Sequence, residues 1–192
     1  MLIAILMVAS LGLQPSYSAL NTLANEQFRA GHFAGAEQAY RRALASAESQ
    51  FGPDHPASAM ILGNLAGTEH ALGRNREAGD LAVQAIERLE RTVGRDSVLL
   101  VPSLNTLGGI YIDTHRYDQA EAVLKRAVHL APHAGPHYAS SLHNLAAMYY
   151  LTGRRDKAGK LNEKALRIRL ALFGPDDPIT QATAHNMAAL GQ

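Results

Sequence analysis

The sequence contains no cysteine and no tryptophan, and only 6% of its residues are aromatic. Without cysteine there is no disulfide framework, thiolate zinc site, iron–sulfur cluster, cysteine nucleophile or cysteine-anchored lipid. Few aromatics and abundant alanine disfavour a β-sandwich and suit close-packed helices. An excess of one charge is missing too: 18 Lys and Arg stand against 17 Asp and Glu, a formal net charge of +1. A dedicated nucleic-acid binder needs a basic surplus to displace counterions, so no nucleic-acid partner is expected. The signatures G-x-S-x-G, G-x-G-x-x-G and H-E-x-x-H and the phosphate-binding P-loop are all absent, which removes the best-marked hydrolase, nucleotide and metalloprotease chemistries. What is present is a chain of 192 residues, 47% of them apolar. That is enough to bury a core, and it rules out wholesale disorder.

No apolar run is long enough to cross a bilayer, which takes about 20 residues. Residues 1–13, MLIAILMVASLGL, carry no charged side chain. Pro15 follows, and Ser16 and Ser18 stand at −3 and −1 of a cut before Ala19. This layout predicts a secretory signal peptide over residues 1–18 and a mature chain over 19–192, exported to the periplasm or secreted. No Lys or Arg precedes the run. The alternatives are an apolar helix packed on the rest of the chain or an uncleaved anchor, which leave the protein cytoplasmic or N-terminally anchored. No stable membrane span is expected in the mature chain.

The chain repeats itself at intervals of about 42 residues. The segments Leu20-Asn-Thr-Leu-Ala24, Leu62-Gly-Asn-Leu-Ala66, Leu104-Asn-Thr-Leu-Gly108, Leu142-His-Asn-Leu-Ala146 and Ala184-His-Asn-Met-Ala188 align, with starts 42, 42, 38 and 42 residues apart. Further columns hold the same register. Gly31, Gly73, His115 and Gly153 stand eleven residues after the opening position, Ala36, Ala78, Ala120 and Ala158 sixteen after it, and Ala43, Ala85, Ala127 and Ala165 twenty-three after it. Phe51-Gly-Pro-Asp-His-Pro56 returns as Phe173-Gly-Pro-Asp-Asp-Pro178, with Val93-Gly-Arg-Asp96 as a weaker copy.

Each repeat reads as two helices. Leu104, Leu107, Gly108 and Tyr111 mark the first by their helical spacing. A polar joint follows, in which Gly31 or Gly153 supplies a left-handed cap. Ala120, Val123, Leu124, Ala127 and Val128 form a small-residue stripe on the second helix, suited to close approach. Asp177 before Pro178 is a helix start: an N-cap with proline in the first turn. One such hairpin cannot hide its apolar side, but stacked copies can. The expected fold is all-α: a right-handed α-solenoid with a concave inner wall, four full repeats (about 19–58, 59–100, 101–138 and 139–180) and a terminal helix over 180–192.

The residues Leu104, Leu107, Gly108, Tyr111, Ala120, Leu124, Ala127 and Pro132 follow the tetratricopeptide (TPR) pattern, and the chain resembles a tetratricopeptide protein. The 42-residue period, the Leu-x-Asn-Leu-Ala openings and the Gly-Pro-Asp joints resemble the kinesin-light-chain type, which is also widespread in bacteria. The third repeat departs from it with Pro132-His-Ala-Gly-Pro136 at a spacing of 38 residues. The Tyr111 column holds Gln27 and Glu69 in the first two repeats. That substitution implies looser packing there, or exposure of the column.

The resemblance implies a non-catalytic interaction or scaffold module, with a protein or peptide partner bound along the inner faces of the first helices. The candidate groove residues are Asn21, Thr22, Asn25, Phe28 and Arg29 in the first repeat and Asn64 and His70 in the second. The third gives Asn105, Thr106 and Ile112, the fourth His143, Asn144 and Tyr150, and the terminal helix Asn186. Asn64, Asn144 and Asn186 carry the family's expected contact to a peptide backbone, because a carboxamide both donates and accepts. Phe28, Ile112, Tyr150 and Leu151 offer apolar pockets, and only Arg29 brings a cation, so a terminal carboxylate is not the favoured ligand. Alternatives are a regulatory or sensor module responding to a small peptide or other effector, and an enzyme, for which no constellation is visible. Self-association could occur through the terminal helix near Ala188-Ala189-Leu190.

No cofactor or metal is expected. His129, His133 and His137 are four apart, but Pro132 and Gly135-Pro136 interrupt the helix that would align them, and no carboxylate completes a ligand set. Arg41, Arg42, Arg74, Arg76, Arg154 and Arg155 read as solvated positions on convex faces and joints.

Overall fold

The computed structural model describes the backbone of residues 15–190 and the side chains of residues 15–187. Most of the expected signal peptide, residues 1–14, lies outside the described residues, as do the side chains of Ala188, Ala189 and Leu190 on which self-association was placed. The described residues form helices only, in two compact units divided between Arg95 and Asp96.

The first unit contains α1 (Tyr17–Arg29), α2 (Phe33–Phe51), α3 (Pro56–Ala71) and α4 (Asn75–Val93), each packed on the next. Its core joins Leu20 and Ala24 of α1 to Ala36, Ala39, Tyr40, Ala43 and Ala47 of α2, closed by Ile61 and Leu65 of α3. The first hairpin is thus completed by the first helix of the second, as the burial argument requires. Ser16 starts α1 by accepting the Ala19 amide N–H at 3.2 Å, and Tyr17 meets Phe51 edge-on at 5.2 Å. A cut before Ala19 would remove both contacts.

The second unit begins with a 3-10 turn (Val98–Leu100), followed by α5 (Val101–Asp113), α6 (Tyr117–Leu130), α7 (Pro136–Leu151), α8 (Arg155–Phe173) and α9 (Pro178–Leu190). Ala120 and Leu124 of α6 pack with Leu145, Ala146, Met148 and Tyr149 of α7 and Ala158 of α8. Asp177 caps α9 by accepting the amide N–H groups of Ile179 and Thr180 at 3.0 Å, with Pro178 in the first turn. At the start of α3 the cap is instead His55, whose Nδ1 accepts the Ala57 N–H, while Asp54 pairs with Arg91 at 2.7 Å.

The joints are repeated at the level of the backbone. Gly31, Gly73 and Gly153 have φ of 76°, 77° and 75°, and His115 takes the same left-handed conformation at 57°. In each case the next residue's N–H reaches back to the carbonyl five residues earlier, as from Arg74 to Glu69 and from Arg154 to Tyr149. The spacing column that reads Gly, Gly, His, Gly is therefore a conformational requirement, met by histidine at some strain.

The repeats differ from the sequence expectation at two places. Glu69, in the tyrosine column, is neither loosely packed nor exposed: it is fully buried. Arg41 and Arg74 are not simply solvated. Each donates to one oxygen of the Glu69 carboxylate at 2.8 Å, and both also bond Glu37, at 3.0 and 2.8 Å. The second unit has the matching arrangement. Glu121, at the Glu37 position, accepts from Arg154 at 2.7 Å, Lys125 at 2.8 Å and the Tyr149 hydroxyl at 3.0 Å, and the Arg154 guanidinium lies over the Tyr149 ring. The joint arginine thus stacks on an aromatic where the column holds tyrosine and forms an ion pair where it holds glutamate.

Lys125 and then Arg154 hold the Glu121 carboxyl down at about 2. For Glu37, burial works against the charge, but Arg41 and Arg74 outweigh it and keep the carboxyl below its usual value. A lowered carboxyl pKa stabilises the fold above the unfolded value, and that stability is lost as pH falls through the folded value. Glu121→Gln should therefore flatten the loss of stability between about pH 4.5 and pH 2, measured by urea unfolding across that range. The expected difference is about 1 kcal/mol, since the pair is partly solvent-screened.

Gly52 ends α2 with φ 89° and ψ 162°, a region that only glycine occupies without strain, although an added Cβ would meet nothing within 4 Å. Gly52→Ala should cost about 1–3 kcal/mol for purely backbone reasons. A urea midpoint equal to that of the parent would reject this.

Candidate functional site

In the second unit α7 presents one face to a cleft. His143, Ala147, Tyr150 and Leu151 follow one another at helical spacing along it, and Ala146, Asn162 of α8 and Asn186 of α9 complete the lining. The cleft has a volume of about 220 Å³ and mostly apolar walls. Tyr150 and Leu151 stay 39% and 53% exposed beside it. Arg155 stands 5.7 Å above the Tyr150 ring.

The polar part of the cleft is built around His143. Its Nδ1 lies 2.9 Å from Oδ1 of the buried Asn162. A carboxamide oxygen only accepts, so the ring proton belongs on Nδ1, and Nε2 keeps its lone pair. Burial pushes the His143 pKa below its ordinary value; the Asn162 bond opposes this and the Arg169 charge adds to it. The imidazole is therefore neutral at neutral pH. Chemically the cleft can enclose an apolar group and accept one hydrogen bond. Its lining contains no Ser, Thr, Cys or Lys beside the imidazole to serve as a nucleophile. Among the described residues no group of His, Asp or Glu is placed to hold a metal. His129, His133 and His137 are split between α6, the joint and α7, and His133 packs against Tyr138 at 4.9 Å.

Of the residues singled out in the sequence, His143, Tyr150 and Asn186 are brought together, with Leu151 beside them. Asn144 is half-buried on the same helix and is not part of the lining. Asn105, expected on the open face, is buried at 9% exposure, and its Oδ1 has no hydrogen-bond partner among the described residues. Thr106 is half-buried, and Ile112 packs against the core of its unit.

In the first unit the polar candidates are largely used by the fold. Asn25 Oδ1 accepts the Tyr40 hydroxyl proton at 2.6 Å, and burial pushes Tyr40 up to about 12. The Thr22 hydroxyl donates to the Ser18 carbonyl within its own helix. The Asn21 Oδ1 is buried without a partner among the described residues. Phe28 meets Phe33 edge-on at 5.3 Å, and Arg29 is exposed. Asn64 and His70 are half-buried on α3.

Asn162 sits on α8, a second helix, and the first-helix pattern that marks the groove in the sequence does not reach it. A signal existed. It stands twenty residues after Leu142, where the other repeats carry Tyr40, Ala82 and Leu124, so a carboxamide there is out of pattern.

Tetratricopeptide repeat models match residues 16–91, 58–132 and 139–179, nearly the whole described chain. The chain belongs to the tetratricopeptide repeat family. No curated protein sequence matches this TPR chain, but solved structures do. BtubC (BKLC) from P. vanneervenii is 26% identical with a TM-score of 0.67, over 82% of this chain and 65% of that one. The TPR chain thus spans a little under two thirds of that protein. A point variant of a Podosopora anserina putative kinesin light chain with nearly identical TPR-like repeats is 21% identical with a TM-score of 0.68, over 90% of this chain and 84% of that one. A further structure of the same Podosopora anserina protein has a TM-score of 0.67 at the same identity and coverage. These matches bear out the expected all-α TPR fold of kinesin-light-chain type. No helix among the described residues of the TPR chain is long and apolar enough to cross a membrane.

A histidine whose folded pKa is lowered takes up fewer protons folded than unfolded. Its contribution to stability is therefore fully present above about pH 6.5 and declines as pH falls through the folded value. His143→Gln should remove part of the drop in unfolding free energy between pH 7.5 and pH 5.5. An identical drop in parent and variant, followed by circular dichroism in urea, would show that this imidazole is not buried as described.

Proposed function

We propose that this TPR protein is a non-catalytic interaction module that holds an extended segment of a partner protein against the open faces of its first helices. The observation that carries the reading is the cleft on α7. Its apolar walls and exposed Tyr150 and Leu151 suit an apolar side chain, and the neutral His143 beside Asn162 suits a donor from the same segment. Asn144 on α7 would serve the peptide backbone, since a carboxamide satisfies both an N–H and a C=O without reading sequence. The TPR fold supports a protein partner in general. The open, mostly apolar cleft of about 220 Å³ also suits part of a small effector, which keeps a sensor role as the second reading. Export rests on the layout of residues 1–18 alone and belongs to the same proposal.

The test is selection of peptides from a random library on the full chain, followed by titration calorimetry. Tyr150→Ala should weaken a selected peptide by about tenfold, and Asn144→Ala by about fivefold, with helicity unchanged. Undiminished affinity in both variants would reject binding on this face. A preference for isolated small molecules over peptides would favour the sensor role.

A further inference from the structure

Arg169 breaks a column that is otherwise apolar. It stands twenty-seven residues after Leu142, and the matching residues in the other repeats are Ala47, Leu89 and Ala131. All four are buried, Arg169 at 5% exposure. A guanidinium keeps its charge at any ordinary pH, so α8 carries a full positive charge into its packing. Among the described residues no carboxylate lies within ion-pair distance of it. Its donors go to neutral acceptors: Nη1 to the Ile179 carbonyl at 3.5 Å and to Thr183 Oγ1, and Nη2 to Ser140 Oγ at 3.4 Å. Asp177 acts on it from further away, with Oδ1 engaged in capping α9.

A buried charge without a matched carboxylate is a poor source of stability, and an apolar side chain, as in the other repeats, would cost less. What the planar fork supplies is geometry. One of its acceptors is on α7 and two are on α9. Ser140 precedes His143 by three residues and Thr183 precedes Asn186 by three, so each acceptor lies about one helical turn from a cleft residue. The fork ties the two walls of the cleft together one layer below the residues that line it.

We propose that Arg169 is the positioning residue of the cleft: by bridging α7 and α9 it sets how far Asn186 stands from His143 and Asn162, and so the width of the opening that receives the partner's side chain. Arg169 touches no ligand itself. The inference rests on the reading of the cleft as the recognition site.

The experiment uses the full chain. Arg169→Met keeps length and removes the fork, Arg169→Lys keeps the charge but can serve fewer acceptors, and Thr183→Val cuts one tie should Arg169→Met fail to fold. Amide hydrogen exchange, the side-chain amide resonances of Asn162 and Asn186, and affinity for a peptide selected on the parent are compared. In Arg169→Met, α9 should exchange about tenfold faster while α5 and α6 keep their protection, the Asn186 resonance should move, and affinity should fall about tenfold. Thr183→Val and Arg169→Lys should lie between this and the parent. Unchanged α9 protection in both Arg169→Met and Thr183→Val overturns the proposal, as does a uniform rise in exchange across the unit. Freed α9 with unchanged affinity overturns it too. Whether the cleft is the recognition site at all is decided separately by Tyr150→Ala on the same peptide.

Discussion

Close approach between helices through alanine is the constraint on which the rest of the structure depends. Ala36, Ala43, Ala78, Ala85, Ala120, Ala127, Ala158 and Ala165 are all completely buried. Alanine loses almost no side-chain entropy on burial and keeps helix axes near one another. It also provides little apolar area of its own. A single hairpin is therefore unstable until the next first helix adds larger side chains, as Ile61 and Leu65 do in the first unit and Leu145, Met148 and Tyr149 in the second. Repetition follows from this shortfall.

A second layer of order is polar. The joint arginines Arg74 and Arg154 each reach back to a glutamate on the preceding hairpin, Glu37 or Glu121. The residue between them is free to change in kind. Tyr149 meets its arginine through the ring face and its glutamate through the hydroxyl, whereas Glu69 meets two arginines through its carboxylate. Tyrosine and glutamate are thus interchangeable in this column only because the surrounding charges change with them. Lys125 needs one acid, and Arg41 bridges three.

The same economy shapes the candidate site. First helices offer two kinds of surface: one that the fold uses, as with Asn25 and Tyr40, and one left open, as with Tyr150 and Leu151. The cleft arises where α7 and α9 both leave residues unused and α8 supplies Asn162 as a polar floor. An arginine in place of the alanine or leucine of the other repeats bonds Ser140 on α7 and Thr183 on α9, each three residues before a cleft residue.

The repeat, the helix pairs, the glycine joints and the capping by Asp177 were legible in the sequence, because each depends on interactions within a few residues or on a column repeated several times. His115 in the glycine column could be read as a left-handed residue for that reason. The fate of individual polar residues was not legible. Glu69 reads as a defect but is buried beneath two half-exposed arginines; Asn105 reads as an open donor but is enclosed; Asn162 lies outside the first-helix pattern and forms the floor of the cleft. Local chemistry dictates which segments coil and where they stop. Whether a polar side chain meets a cation, a ring or open solvent depends on what a neighbouring helix, tens of residues away, places opposite it, and that was decided only when the helices packed.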